Sequence, residues 1–193
     1  MPGALAVGLF VGGRGSRFGG LAKGNLRTPD GARLIERLET ICRAALPGAP
    51  LLLVGERAEY ADLGLETLAD TPAGIGPLGG LCSLVARAAE QGHDAVLALA
   101  CDLPFVTAEL VKRLATENDD ADALAPREGG LWYALSARYS VRIRRALDDA
   151  VLAREHSLQK LFARLGSAAR RLEVGPEELA ELRDWDCPDD LRA

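Results

Sequence analysis

The chain has few of the residues that usually announce a reactive centre. Among its 193 residues are four cysteines and two histidines. Cys42, Cys82, Cys101 and Cys187 form no CxxC pair, have no close histidine partner and in several cases sit in apolar runs. They read as reduced core residues, not as a metal centre or a disulfide framework. His93 and His156 read as surface or helix-end residues, and no Ser, His and Asp set suited to nucleophilic catalysis is evident. Positive charge is also scarce, with 23 Lys and Arg against 28 Asp and Glu for a net charge of −5. That balance does not build the broad basic face that double-stranded nucleic acid requires. Long apolar runs are missing too. Ala4 to Gly13 is apolar for ten residues, without a basic leader and well short of the roughly 20 residues that span a bilayer. A cytoplasmic protein without a membrane helix is expected.

What remains is an ordinary globular composition, 48% hydrophobic and 26% charged, enough for one core and one domain over residues 1–193. Its charge is unevenly placed. Arg14, Arg17, Lys23 and Arg27 precede the first acid, Asp30, whereas Glu177, Glu178, Glu181, Asp184, Asp186, Asp189 and Asp190 crowd the end. Continuous apolar runs at 4–11, 51–54 and 95–101 predict strands buried on both faces. Helical spacing over 32–45, 81–88 and 107–117 predicts amphipathic helices between and after them. Segments 121–126 and 131–136 read as two further strands around Glu128-Gly129-Gly130, as a hairpin or a mixed-sheet extension, with helices near 138–150, 157–165 and 177–183. The fold class is α/β, a three-layer sandwich around a mostly parallel sheet.

The most informative segment follows the first strand. From Gly12 to Gly24 it holds six glycines, including Gly13 and Gly15, and the cations Arg14, Arg17 and Lys23. Glycine lets backbone N–H groups approach an anion closely and the cations supply countercharge, so phosphate is the natural guest. Ala22 before Lys23 and Gly24 after it rule out a Walker loop, and Phe18 stands where a dinucleotide fingerprint needs its third glycine. Asp102 ends the third strand, where open α/β sheets bind ligands, and its carboxylate suits Mg²⁺, which takes one or two such ligands beside water and phosphate. Asp70 opens a second Gly/Pro-rich loop, Asp70 to Leu81. Asp184-Trp185-Asp186-Cys187-Pro188 is an acidic turn near the end. Trp132 and Tyr133 read as core, while Arg142, Arg144, Arg145 and Arg154 either draw an anionic acceptor or solvate a helix.

In order, these motifs resemble those of the molybdenum cofactor guanylyltransferase (MobA-like) nucleotidyltransferases. The likeness rests on Phe10-Val11-Gly12-Gly13 running on to Arg17-Phe18-Gly19-Gly20-Leu21-Ala22-Lys23-Gly24, then Gly76-Pro77-Leu78-Gly79-Gly80, Cys101-Asp102-Leu103-Pro104-Phe105 and Asp184 to Leu191. It implies a nucleotide-diphospho-sugar transferase type of fold and transfer of GMP from GTP to molybdopterin with release of pyrophosphate. By that resemblance Phe10, Val11, Gly12, Gly13 and Gly15 wrap the nucleotide, and Arg17 and Lys23 neutralise the triphosphate and departing pyrophosphate. Asp102 holds Mg²⁺ with Asp186 as a second ligand. Asp70, Gly76, Pro77, Leu78 and Gly79 help hold the guanosine. The implied partners are GTP and a molybdopterin-type phosphorylated acceptor, with no nucleic acid and no membrane, for a monomer in transient contact with molybdoenzyme maturation proteins. This chain has Ala22 where the family has aspartate, Val54 where it offers an asparagine, and Asp184 and Asp186 where it has asparagines. A cytidylyl- or other nucleotidyltransferase, or a nucleotide-binding partner without catalysis, stays open as an alternative.

Overall fold

The first apolar run becomes the middle of a sheet. In the computed structural model, which describes residues 4–12, 22–28, 31–118 and 120–185, β1 (Leu5–Phe10) lies between β2 (Leu51–Val54) and β4 (Ala95–Ala100), parallel to both. β3 (Glu66–Leu68) extends the parallel set beyond β2. On the other side come β8 (Ser136–Ser140), antiparallel to β4, then β5 (Ala123–Ala125) and β9 (Ala169–Arg171), giving the order β3-β2-β1-β4-β8-β5-β9. Only β8 runs against the rest.

Alternate strand residues enter two separate cores. Ala6, Phe10, Val96 and Ala98 pack with α2 (Pro77–Glu90), α4 (Arg144–Leu152) and α5 (Leu158–Leu165). Val7, Leu9, Leu97 and Leu99 pack with α1 (Leu34–Ala45) and α3 (Ala108–Thr116). This is the predicted three-layer α/β sandwich. A short α6 (Pro176–Glu181) follows, and the adjacent Leu182 joins the second core.

The departures from expectation cluster after residue 120. The predicted helix over 138–150 begins only at Arg144, because Ser136–Ser140 is a strand buried at every position. Its charged and hydroxyl residues imitate a helix surface, but the period is two: Ala137 and Tyr139 face the α2 core while Ser136, Arg138 and Ser140 occupy the opposite face. Arg138 is buried there by donating to the Asn118 carbonyl. Both alternatives for 121–136 occur. Ala123–Ala125 joins the main sheet, and β6 (Arg127–Glu128) pairs with β7 (Leu131–Trp132) as a small hairpin around Gly129 and Gly130.

Tyr139 ties this region together, since its buried hydroxyl donates to the Ala134 carbonyl at 2.7 Å. Tyr139→Phe leaves that carbonyl without this donor and is expected to cost about 1–2 kcal/mol. For a chain of this size the melting temperature should fall by about 2–8 °C in thermal unfolding. An unchanged midpoint would show that the bond contributes nothing.

Candidate active site

β1 and β4 are neighbours, yet the chain leaving β1 crosses to β2 on one side, while the chain leaving β4 moves toward β5 on the other. Their carboxyl ends therefore open the crevice in which sheets of this kind bind ligands. Lys23 and Asp102 meet across it. Lys23 Nζ donates to Asp102 Oδ2 at 2.8 Å, with side chains 24% and 14% exposed.

The lysine is fixed from both sides. Ala22 is buried in the α1/α3 core, and the buried Gly24 donates its N–H to the Tyr60 hydroxyl at 3.0 Å. A Cβ on Gly24 would stand 2.8 Å from that oxygen, so the approach requires glycine. Tyr60 is fully buried, which pushes its phenol above the ordinary range and keeps it neutral.

Asp102 is held through its neighbours. Cys101 N–H donates to the Phe10 carbonyl at 3.1 Å, and the Asp102 carbonyl accepts from Trp185 N–H at 3.0 Å. Burial, reinforced by Asp102, pushes the Cys101 thiol up to about 12, so it stays protonated beneath the site. Trp185 is buried against Leu26 and Leu34 and stands edge-on to Phe105, with ring centroids 6.3 Å apart. The last described turn is thereby packed onto both the Lys23 segment and the end of β4. Asp186, the next residue, lies outside the described residues, as do Gly13, Gly15 and Arg17.

The second loop folds back on the start of α2. Thr71 N–H donates to the Gly79 carbonyl at 3.2 Å, and a Cβ on Gly79 would come within 2.4 Å of the Pro72 carbonyl. At Gly80 a Cβ would meet the Phe10 ring at 3.0 Å and Asp70 Oδ1 at 3.1 Å. Asp70 is thus brought beside the end of β1. Gly76 and Pro77 are exposed, whereas Leu78 is wholly buried in the core. Phe10 and Val11 send their side chains into opposite cores and reach the crevice only through their backbone. Gly12 is exposed.

Other candidates fall elsewhere. Trp132 stacks on Phe162 at 4.5 Å with the Arg127 guanidinium over its ring at 5.0 Å, as expected for a residue packed on the core. Ser140 pairs with Ala95, so Arg142, which binds Asp122 at 2.9 Å, and the start of α4 at Arg144 and Arg145 lie at the opposite end of β4 from Asp102. At roughly 3.3 Å per residue that strand is about 20 Å long, and Arg144 lines a separate groove between β3 and α2 with Leu68, Thr71 and Ser83. The residues that sequence reasoning missed are Tyr60, which carries no local signal, and Trp185, hidden between two acids that drew the attention.

A family model described as MobA-like NTP transferase domain matches residues 8–170. The chain belongs to this family. Over 185 residues, covering 94% of this chain and 90% of that protein, it is 32% identical to a Pseudomonas fluorescens protein named molybdenum cofactor guanylyltransferase. A Pseudomonas putida protein of the same name is 32% identical over 199 residues, spanning all of both chains. Among solved structures, the molybdopterin-guanine dinucleotide biosynthesis protein A from Archaeoglobus fulgidus superposes with a TM-score of 0.73 at 23% identity, covering 97% of this chain and 95% of that one. That last likeness concerns the fold alone.

Asp70 sits there at a cost to stability. Burial first, and then the charge of Glu56, raise its carboxyl above the usual range. A raised pKa favours the protonated form in the folded chain, so the stability linked to Asp70 is complete below the unfolded value of about 3.9 and is lost as pH rises through the folded value. Asp70→Asn should therefore melt above the wild type at pH 7, with the gain vanishing as the pH falls below about 3.9. Equal shifts at both pH values would mean that charge burial is not the cause.

Proposed function

We propose that the chain transfers GMP from GTP to the phosphate of a molybdopterin-type acceptor and releases pyrophosphate. The observation that carries this reading is the Lys23–Asp102 pair set across the β1/β4 crevice in a chain of this family. The names of the curated relatives support guanylyl transfer in molybdenum cofactor synthesis.

The chemistry asks little covalent work of the protein. An acceptor phosphate oxygen forms a bond to the α-phosphorus of GTP as the bond to the bridging oxygen breaks, and pyrophosphate leaves with that electron pair. A phosphate monoester is largely ionised at pH 7, its second pKa being about 6, so no general base is required. Positioning and charge stabilisation are what remain. The Gly12–Gly20 loop, with Gly13 and Gly15, wraps the phosphates, and Arg17 and Lys23 neutralise them. Asp70, with Gly76, Pro77, Leu78 and Gly79, holds the guanosine, the exposed loop backbone making the contacts and Leu78 anchoring it to the core.

The donor set fits a divalent cation of a particular kind. Among the described residues no three His, Cys, Asp or Glu side chains converge on one point, and Asp102 offers a single hard oxygen ligand. Such a site suits Mg²⁺, which relies on phosphate oxygens and water for most of its shell, and not a permanently caged metal. Asp102, with Asp186 as the second ligand, would hold it, and bound there it would supply further neutralisation of the triphosphate. The same reading takes the protein to be a cytoplasmic monomer in transient contact with maturation proteins. Among the described residues no helix is long and apolar enough to cross a membrane.

Two measurements test this. GTP with Mg²⁺, at about 100 times its dissociation constant, should stabilise the fold by roughly 2.7 kcal/mol and raise the melting temperature by about 5–10 °C. A shift with CTP in its place would move the protein to cytidylyl transfer, and binding without acceptor-dependent turnover would make it a non-catalytic partner. Asp102→Asn should keep a cooperative melting transition and lose about 10²–10³-fold in turnover, the scale on which single electrostatic stabilisers act. Full turnover in a folded Asp102→Asn protein would overturn the site.

A further inference from the structure

The pair that marks the site also obstructs it. With Lys23 Nζ 2.8 Å from Asp102 Oδ2, the carboxylate proposed to receive a divalent cation already has a cation on it. Both side chains are mostly withdrawn from water, at 24% and 14% exposure, so their mutual field is screened less than that of a surface pair. Arriving Mg²⁺ would face a neutral ion pair in place of a bare carboxylate, and this ion gives up its water reluctantly.

We propose that Lys23 is the resting occupant of the metal position, so that a divalent cation binds Asp102 only when a triphosphate draws the lysine away. This deepens, and rests on, the reading of Asp102 as a metal ligand. The anchoring of Ala22 in the core and Gly24 on Tyr60 holds the backbone still, while the flexible four-carbon stem of lysine lets the ammonium swing between carboxylate and phosphate. The triphosphate then does two things at once. It replaces Asp102 as the partner of Lys23, and it supplies the remaining oxygens of the cation's shell. Because linkage is reciprocal, the cation must strengthen nucleotide binding by the factor by which nucleotide strengthens cation binding. The site holds no metal of its own at rest and takes it up with its substrate.

The test uses Mn²⁺ as the probe, its free concentration followed by electron paramagnetic resonance, with the full chain and no nucleotide. Lys23→Gln should bind Mn²⁺ at least about tenfold more tightly than the wild type, within the usual range of such couplings. The gain should vanish in the Lys23→Gln, Asp102→Asn double variant. Lys23→Arg, which keeps the charge, should bind Mn²⁺ as weakly as the wild type, and thermal unfolding confirms that each variant is folded. Equal Mn²⁺ affinity in the wild type and Lys23→Gln overturns the role given to the lysine. If, in addition, wild type loaded with a non-hydrolysable GTP analogue binds an Mn²⁺ ion that Asp102→Asn loses, the reading of Asp102 survives that failure. A gain that persists in the double variant overturns Asp102 as the ligand.

Discussion

The register of β1 against β4 sets the reach of every group in the crevice. Six residue pairs, from Leu5 with Ala95 to Phe10 with Ala100, lock the two strands, and the ladder continues as Cys101 donates to the Phe10 carbonyl. A slip of one residue would move Asp102 by roughly 3.3 Å and turn its side chain to the other face of the sheet. Burial forbids the slip. Val7, Leu9, Leu97 and Leu99 fill one core while Ala6, Phe10, Val96 and Ala98 fill the other, so any shift would exchange large and small side chains in both. The position of one carboxylate is thus specified by apolar packing some distance beneath it.

Charge at the site is arranged differently from charge elsewhere on the molecule. Arg33 with Asp62 and Arg43 with Glu39 involve exposed partners, where such pairs contribute little. Lys23 and Asp102 are withdrawn from water together, and Asp70 is half-buried with the charge of Glu56 acting on it. These partly buried charges meet at the carboxyl ends of β1 and β4, the end of the sheet at which open α/β sheets bind ligands. Trp185, the last described residue, reaches the same place, its ring buried against Leu26 and Leu34.

How much of this was legible depended on length and period. The runs at 5–10, 51–54 and 95–100 are continuous and buried on both faces, so their strands stand out in the sequence, and Asp102 could be placed at a strand end. β3 and β9 have three residues each, too few for any period to show. β8 was obscured because Arg138 is a buried charge, which alternation of polar and apolar residues cannot reveal. The pairing of Lys23 with Asp102 joins residues 79 positions apart. Sequence spacing carries no trace of it, nor of Tyr60 beneath Gly24. The arginines at 142–145 show the converse: a local charge cluster is conspicuous in a sequence, but only the antiparallel register of β8 reveals that it begins beyond the end of β4 opposite Asp102.

Two of the departures from the family pattern acquire a physical meaning from their surroundings. Ala22 is buried among α1 and α3 side chains, and Val54 is 1% exposed beneath α2, its Cγ1 only 2.6 Å from where a Gly80 Cβ would stand. An aspartate at the first position or an asparagine at the second would have to find a hydrogen-bond partner in these apolar environments or reopen the packing around it. With alanine and valine, these two side chains join the floor of the crevice by apolar packing. On the proposed reading, fewer polar side chains are then left to contact a nucleotide, and recognition would fall more heavily on loop backbone, on Asp70 and on Lys23.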